Sequence, residues 1–274
     1  MNGVLHPVLH PMLRFARSAL AATALALALA PAQAGRNCEA QPPTTIAVQR
    51  GMALAEHTAK ALDASGAQVV VLARAGQDLT RYGLRWSHLG FAYRDEEAGG
   101  AWRVLHKLNR CGEARAELFR QGLGEFFLDD PYRYVAAYAV LSAEAQERLL
   151  PLLRDDVRVA TLHVPEYSMV AYPWSQVYQQ SNQWAIETLA YAMEPGASTR
   201  QRAQAWLQFK AYEPTVLRLN ALERLGARMT AANIAFDDHP NDKRYSDRIE
   251  TVTADSVFDW LQRSGLGSAP VVVR

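Results

Sequence analysis

Cysteine is nearly missing from this chain: Cys38 and Cys111 are the two in 274 residues. Their placement carries no metal-ligand spacing. Charge of one sign is missing too, with 29 basic against 28 acidic side chains. A near-neutral chain without an evident basic patch has no general electrostatic attraction for nucleic acid or anionic lipid. There is no G-x-S-x-G elbow, no phosphate loop and no H-E-x-x-H pair, so these motif-borne chemistries are not on offer. No internal repeat is visible. The one long apolar run, Ala19 to Ala30, is broken only by Thr23. It falls short of the roughly 20 residues that span a bilayer.

That run reads as an export signal. Arg14 and Arg17 precede it, and Ala32-Gln33-Ala34 supplies a small-x-small cleavage pattern before Gly35. Residues before Met12 add nothing to the signal. Gly35-Arg36-Asn37 before Cys38 is not a lipobox. Removal of residues 1–34 takes Arg14 and Arg17 and leaves 27 basic against 28 acidic residues. The expectation is a periplasmic or secreted protein with no transmembrane segment after cleavage. In such a compartment Cys38 and Cys111 are expected to form a disulfide. The alternative is a free catalytic thiol at Cys111, although Asn109-Arg110-Cys111-Gly112 reads as a turn after a strand and not as a helix start.

Periodicity predicts a helix over residues 45–64, ended by Gly66, and a short buried strand over 69–73. Residues 75–78 read as a turn. Two strands follow, Ser87 to Tyr93 and Trp102 to Leu108, joined by a polar, glycine-rich hairpin over 94–100. Leu118 to Phe127 is amphipathic and aromatic. Tyr134 to Leu141 reads as a strand, and Ser142 caps a helix running to Leu153. Tyr167 to Trp174 reads as extended. Asn182 to Met193 is a helix ended by Pro195-Gly196. Beyond it, 199–209 and 215–225 read as helices, the second closed by Gly226. Residues 234–236 read as a strand, and Thr253 caps a last helix through Leu261.

Each strand of the hairpin carries one histidine. Side chains alternate along a strand. His88, Gly90 and Ala92 therefore share one face, and Leu89, Phe91 and Tyr93 the other. The bulky face is the expected core; the small-residue face leaves room for a substrate or a helix terminus. His106 lies on the second strand with Val104 and Leu108. A hairpin brings such imidazoles together when register allows. Two histidines then supply a base and an orienting partner for a nucleophile. Ser181, opening the helix Ser181-Asn182-Gln183-Trp184, is the expected nucleophile.

The order S-H-x-G-aromatic-x-Y, a hairpin, V-x-H-apolar, and later a helix opening on nucleophile-x-x-aromatic resembles the circularly permuted papain-like hydrolases. These are the permuted NlpC-type peptidases and the lecithin:retinol acyltransferase-like enzymes. The resemblance covers residues 69–193. It implies His88 as base, His106 as orienting residue, Ser181 at the nucleophile position and Trp184 as the aromatic that follows it. It departs from those families in its longer hairpin and in carrying serine where they carry cysteine. A serine hydroxyl needs its proton removed during attack and a good oxyanion site. The text around Trp174, residues 182–184 and residues 236–240 also resembles an exported bacterial family of unknown function.

The expected fold is α+β: a permuted papain-like antiparallel sheet packed on a nucleophile-bearing helix. Residues 35–195 form the hydrolase-like domain and 196–274 a mostly helical C-terminal extension. His88, His106 and Ser181 are the candidate catalytic residues. Gln77, Tyr93 and Trp184 are candidate substrate contacts, with Tyr82 and Trp86 as further aromatics. Ser168 and Ser175 are alternative nucleophiles. Asp237-Asp238-His239 with Asp242 offers cation-ligand chemistry, against the plainer reading of a turn held by side-chain bonds to backbone. His57 and His163 are incidental. No metal or cofactor is expected. The expected function is hydrolysis of an amide or ester bond in the cell envelope, with peptidoglycan peptide the first expected substrate and acyl lipid the second; the alternative is a non-catalytic module that binds an envelope peptide, glycan or lipid.

Overall fold

The computed structural model describes residues 42–129 and 131–274. The export signal and Cys38 lie outside the described residues. Helix α1 (Thr45–Ser65) starts where the Thr44 side chain accepts from the Ala47 amide. It stops at Gly66, whose φ of 68° is the left-handed conformation that a helix end favours in glycine. Among the described residues the main sheet has the order β4-β3-β2-β1-β5-β8, antiparallel throughout. Its strands are β1 (Val69–Ala75), β2 (His88–Asp95), β3 (Ala101–Asn109), β4 (Ala116–Gly122), β5 (Arg133–Val140) and β8 (Val271–Val273).

Both faces of the sheet are covered. The central strand β1, Val-Val-Val-Leu-Ala-Arg-Ala, is buried along its whole length. Its odd positions Val69, Val71 and Ala73 join one core with Leu89, Phe91 and Tyr93. The helices over that side are α3 (Ala143–Leu153), α5 (Ser181–Met193), α6 (Arg200–Phe209) and α9 (Ala254–Arg263), which bring Leu149, Trp184, Leu207 and Trp260. Val70, Leu72 and Ala92 face a second core made with α1 and the short helix α2 (Leu123–Leu128), through Leu62, Phe126 and Phe127. Each large apolar side chain so buried contributes about 1.5–3 kcal/mol. The small-residue face of β2 is therefore packed, and does not open broadly toward a substrate.

Several expectations change for identifiable reasons. The amphipathic 118–127 segment divides into β4, which completes the sheet edge, and α2. Residues 215–225 are not one helix. Thr215–Arg218 form β6, paired with β7 (Arg248–Thr251), and helix α7 (Ala221–Thr230) begins anew at Asn220. Asn220 accepts from the Leu222 and Glu223 amides while Glu223 accepts from the Asn220 amide, a reciprocal cap strong enough to restart the helix. Gly226 lies inside α7 and does not end it. Residues 234–236 form no strand, because the Ser168 hydroxyl takes both backbone groups of Ala235. Tyr167 to Trp174 turns rather than extends; only an isolated bridge joins Arg115 to Glu166.

Residues 196–274 are not an appended extension. β8 pairs with β5, and Phe258, Trp260 and Leu261 of α9 enter the main core. The short helices α4 (Asp156–Val159) and α8 (Asn241–Tyr245) complete the elements. No helix among the described residues is long and apolar enough to cross a membrane.

Candidate functional site

The pairing of β2 with β3 sets Phe91 against Leu105. The same register places Gly90 opposite His106, so the two histidines are diagonal neighbours and not directly opposed. Gly90 is what lets them meet. A Cβ at that position would stand 2.7 Å from the His106 Cβ and 2.9 Å from the Leu105 carbonyl oxygen. With that space clear, His106 reaches across, and its Nδ1 lies 2.8 Å from Nε2 of His88. The Phe126 ring of α2 packs edge-on against His106, centroids 5.2 Å apart, and covers the pair on that face.

Hydrogen bonding fixes the protons on both rings. The Gln121 amide nitrogen donates to Glu125 Oε1 at 3.0 Å, which turns the Gln121 oxygen toward His106. That oxygen lies 2.8 Å from His106 Nε2. A neutral His106 therefore carries its proton on Nε2 and accepts at Nδ1. His88 Nε2 must then donate, which leaves the lone pair of His88 on Nδ1. No described residue takes that nitrogen. The chain Glu125–Gln121–His106–His88 is thus a relay that fixes both tautomers and leaves a lone pair on His88 Nδ1.

Burial pushes the His106 pKa down to about 3, helped by the Arg74 guanidinium and opposed by the bond to Gln121. Burial, then Arg74, then His106 hold His88 well below the ordinary imidazole range. Both rings are neutral. Arg74, facing His88 in the β1–β2 register, is itself buried. Its guanidinium lies over the Phe126 ring, 4.8 Å from the centroid, and pairs with the Asp129 carboxylate and the Phe126 carbonyl.

Ser181 enters from the other side of the sheet as the first residue of α5. Gln180 caps this helix. Its side-chain oxygen accepts from the Asn182 and Gln183 amides, and Gln183 returns a bond to the Gln180 amide. The Ser181 amide is the first-turn donor that this cap does not take. The Asn182 side chain accepts from the Leu89 amide and donates to the Val252 carbonyl, which locks the helix start to β2 one residue from His88. Ser181 and His88 line one cavity of about 140 Å3 at the end of the sheet, with Arg74, Gln77, Asp129 and Tyr167. No hydrogen bond joins Ser181 to His88 among the described residues. Burial raises the pKa of the Tyr167 hydroxyl, and its contact with Ser181 opposes that rise.

A buried polar chain supports the helix start from below. Lys107 Nζ donates to the Val164 and Gln179 carbonyls and to the Gln179 side chain, at 2.6, 2.9 and 2.8 Å. Gln179 passes a bond to Glu187, which is clamped by Arg200 through Nε at 2.9 Å and Nη2 at 3.2 Å and also accepts from Gln204. Burial, followed by Arg200, lowers the Lys107 pKa to about 7. This chain fixes residues 179–181 against β3.

The other candidates separate clearly. Gln77 lines the cavity beside His88 and Ser181. Tyr93 does not; it is sealed in the core with its hydroxyl accepting from Arg120. Trp184 is likewise a core residue, packed against Phe91 with centroids 6.2 Å apart. The strand alternation and helix pitch that carry His88 and Ser181 to the cavity turn these two aromatics inward. The Ser168 hydroxyl is spent on Ala235, and Ser175 accepts from the Val177 amide. Asp238 accepts from the Tyr172 amide and lies against His239, whose other nitrogen meets the Glu250 carbonyl. These bonds make residues 237–239 a pinned turn, and no group of three or more metal-ligating side chains gathers among the described residues. Tyr82 and Trp86 line an adjoining apolar cavity. His57 meets the Arg274 carbonyl, away from the site. No described cysteine is a free thiol, which removes Cys111 as a catalytic candidate.

Sequence reasoning missed Arg74, Gln121 and the Lys107–Gln179–Glu187–Arg200 chain. Arg74 had a signal, being the one charge in an otherwise apolar strand. Gln121 and the buried chain had none, because their partners are distant in sequence.

The chain belongs to a family described as uncharacterized proteins conserved in bacteria (DUF2145), whose match covers residues 61–261. That span runs from α1 into α9 and so includes the whole site. No curated protein and no solved structure matches the chain.

Proposed function

We propose that this family member is an exported hydrolase acting on amide or ester bonds in the cell envelope, through Ser181, His88 and His106. The observation that carries the reading is the relay: it ends in His88, whose Nδ1 has no hydrogen-bond partner among the described residues and whose ring lines the cavity that Ser181 also lines. The order of base strand, orienting strand and nucleophile helix supports a permuted papain-like ancestry. Arg14, Arg17 and the apolar run support export. Cell-wall peptides and acyl lipids are the two substrate classes this setting offers.

In this reading Ser181 Oγ adds to the substrate carbonyl carbon while its proton passes to His88 Nδ1. The His88 Nε2–H bond to His106 holds the ring in place. The Ser181 amide donates to the oxyanion. The imidazolium then returns the proton to the departing amine or alcohol as its bond to carbon breaks. Water cleaves the acyl-serine by the same proton path.

One observation favours a second reading, a non-catalytic envelope-binding module. Burial and the neighbouring Arg74 both disfavour the imidazolium that catalysis needs. Labelling with a serine-reactive fluorophosphonate separates the two. The hydrolase reading expects one adduct, on Ser181, absent from Ser181→Ala. No adduct, or an adduct elsewhere, supports the binding module.

A further inference from the structure

A second cavity adjoins the first. It holds about 380 Å3 and shares Gln77, Ser87, Met169, Gln180 and Asn182 with the Ser181 cavity. Beyond that polar junction the lining is apolar: Leu79, Leu84, Trp86, Leu217, Leu219 and Phe236. Several of the polar side chains in its walls are already engaged, Tyr82 and the Gln77 of the junction being the exceptions. Thr251 donates to the Ala171 carbonyl, Thr253 pairs with Thr215, and Arg81 pairs with Glu223 at 2.7 Å. A peptide backbone placed there would lose hydrogen bonds to water and find few replacements. An aliphatic chain loses none.

The outer wall is α7, none of whose residues is buried. It presents Gly226 and Ala227 to the cavity, so the wall is thin where a ligand would press on it.

We propose that this cavity holds the aliphatic tail of an acyl substrate, with its carbonyl at Ser181 and its chain running under α7. The proposal rests on the reading of Ser181 as the group that meets the carbonyl. It chooses acyl esters or amides over cell-wall peptides. Burial of each methylene predicts a roughly fourfold gain in affinity or in kcat/KM while the chain still lengthens inside the cavity.

Two measurements test it separately from catalysis. The first follows hydrolysis of p-nitrophenyl esters from acetyl to decanoyl. The expected result is a rise of about fourfold per methylene over several carbons, and a flat or falling series overturns the proposal. The second titrates 11-(dansylamino)undecanoic acid into Ser181→Ala, alone and combined with Ala227→Phe or Gly226→Phe. A Cβ at Gly226 meets no atom within 4 Å, so the first carbon of a side chain is accommodated there. Binding by Ser181→Ala, weakened at least about tenfold by a filling substitution, supports the acyl site even where no ester of any length turns over. That outcome would remove the hydrolase reading alone. No binding, or binding indifferent to both substitutions in folded protein, overturns the acyl site.

Discussion

His106 Nδ1 stands 2.8 Å from His88 Nε2 because the residue between them in the β2–β3 register is Gly90. The pair depends on a missing side chain as much as on the two that are present. Gly90→Ala forces His106 to move, since its new Cβ would sit 2.7 Å from that of His106 with the Leu105 carbonyl close behind. Overpacking of this kind costs about 1–3 kcal/mol. The expected result is a lower urea midpoint and the loss of Ser181 phosphonate labelling. Wild-type labelling in a folded Gly90→Ala protein would show that the His88–His106 contact is dispensable.

Gln121 acts on the site only through His106. Gln121→Leu removes the acceptor that holds the His106 proton on Nε2, so the tautomers of both rings are no longer fixed. The labelling rate should fall about tenfold or more, in proportion to the roughly 1–3 kcal/mol at stake in one buried hydrogen bond. Gln121→Glu keeps an acceptor and should recover part of the rate, with an altered pH profile. Equal rates for both variants would mark Gln121 as structural.

Acid should weaken the fold through these histidines. An unfolded histidine titrates near 6.5, whereas His106 in the fold titrates at about 3 and His88 well below its ordinary range. The folded state binds fewer protons in that window. Its stability is fully present above pH 6.5 and is lost as pH falls toward 3. For His106 the loss reaches about 2–3 kcal/mol by pH 4.5. Urea titrations of wild type and His106→Gln at pH 7.5 and 4.5 isolate this part. The variant should lose less on acidification, and identical losses would refute the assignment.

Lys107→Met should cost about 3 kcal/mol, because it leaves buried carbonyl acceptors without their donor beside the Glu187–Arg200 pair. Its sharper signature is at a distance. Residues 179–181 lose their anchor to β3, so Ser181 labelling should slow by more than thermal destabilisation alone explains. Unchanged labelling of folded Lys107→Met would show that the chain does not position the helix start.

Much of this site was legible in the sequence because it is written in local patterns. Strand alternation separated His88 from the Phe91 face, the 182–193 run marked the helix that Ser181 opens, and Ser142 and Thr253 marked caps that the structure keeps. The rest was nonlocal. Thr215 to Leu225 looked helical until β7, more than twenty residues on, supplied a partner for Thr215–Arg218. Ala235 lost its strand to a hydroxyl from Ser168. Alternation already set Tyr93 on the core face with Leu89 and Phe91, and the structure keeps it there rather than against a substrate; Trp184 looked like a substrate aromatic because sequence does not say which face of its helix a sheet will cover. The Gly90 vacancy was visible as a small residue, but it serves the neighbouring histidine and not a ligand.

Cys38 and Cys111 are expected to be joined in protein isolated from the envelope. Non-reducing peptide mass analysis should yield one crosslinked pair, and its reduction should cost about 2–5 kcal/mol, as for native disulfides in small exported domains. Two alkylatable thiols in native protein would end the idea.

The most direct test of the nucleophile–base pairing is Ser181→Cys. A thiol at the start of α5, on the cavity that His88 and Arg74 also line, should ionise below the usual thiol value of about 8.5. The measurement is the rate of iodoacetamide alkylation of the introduced thiol against pH in the purified variant, with Cys38 and Cys111 kept oxidised. The account predicts a midpoint at least about one unit below 8.5, moved back toward it by His88→Ala. An ordinary midpoint, or one indifferent to His88, would contradict a nucleophile–imidazole site and leave the binding module in its place.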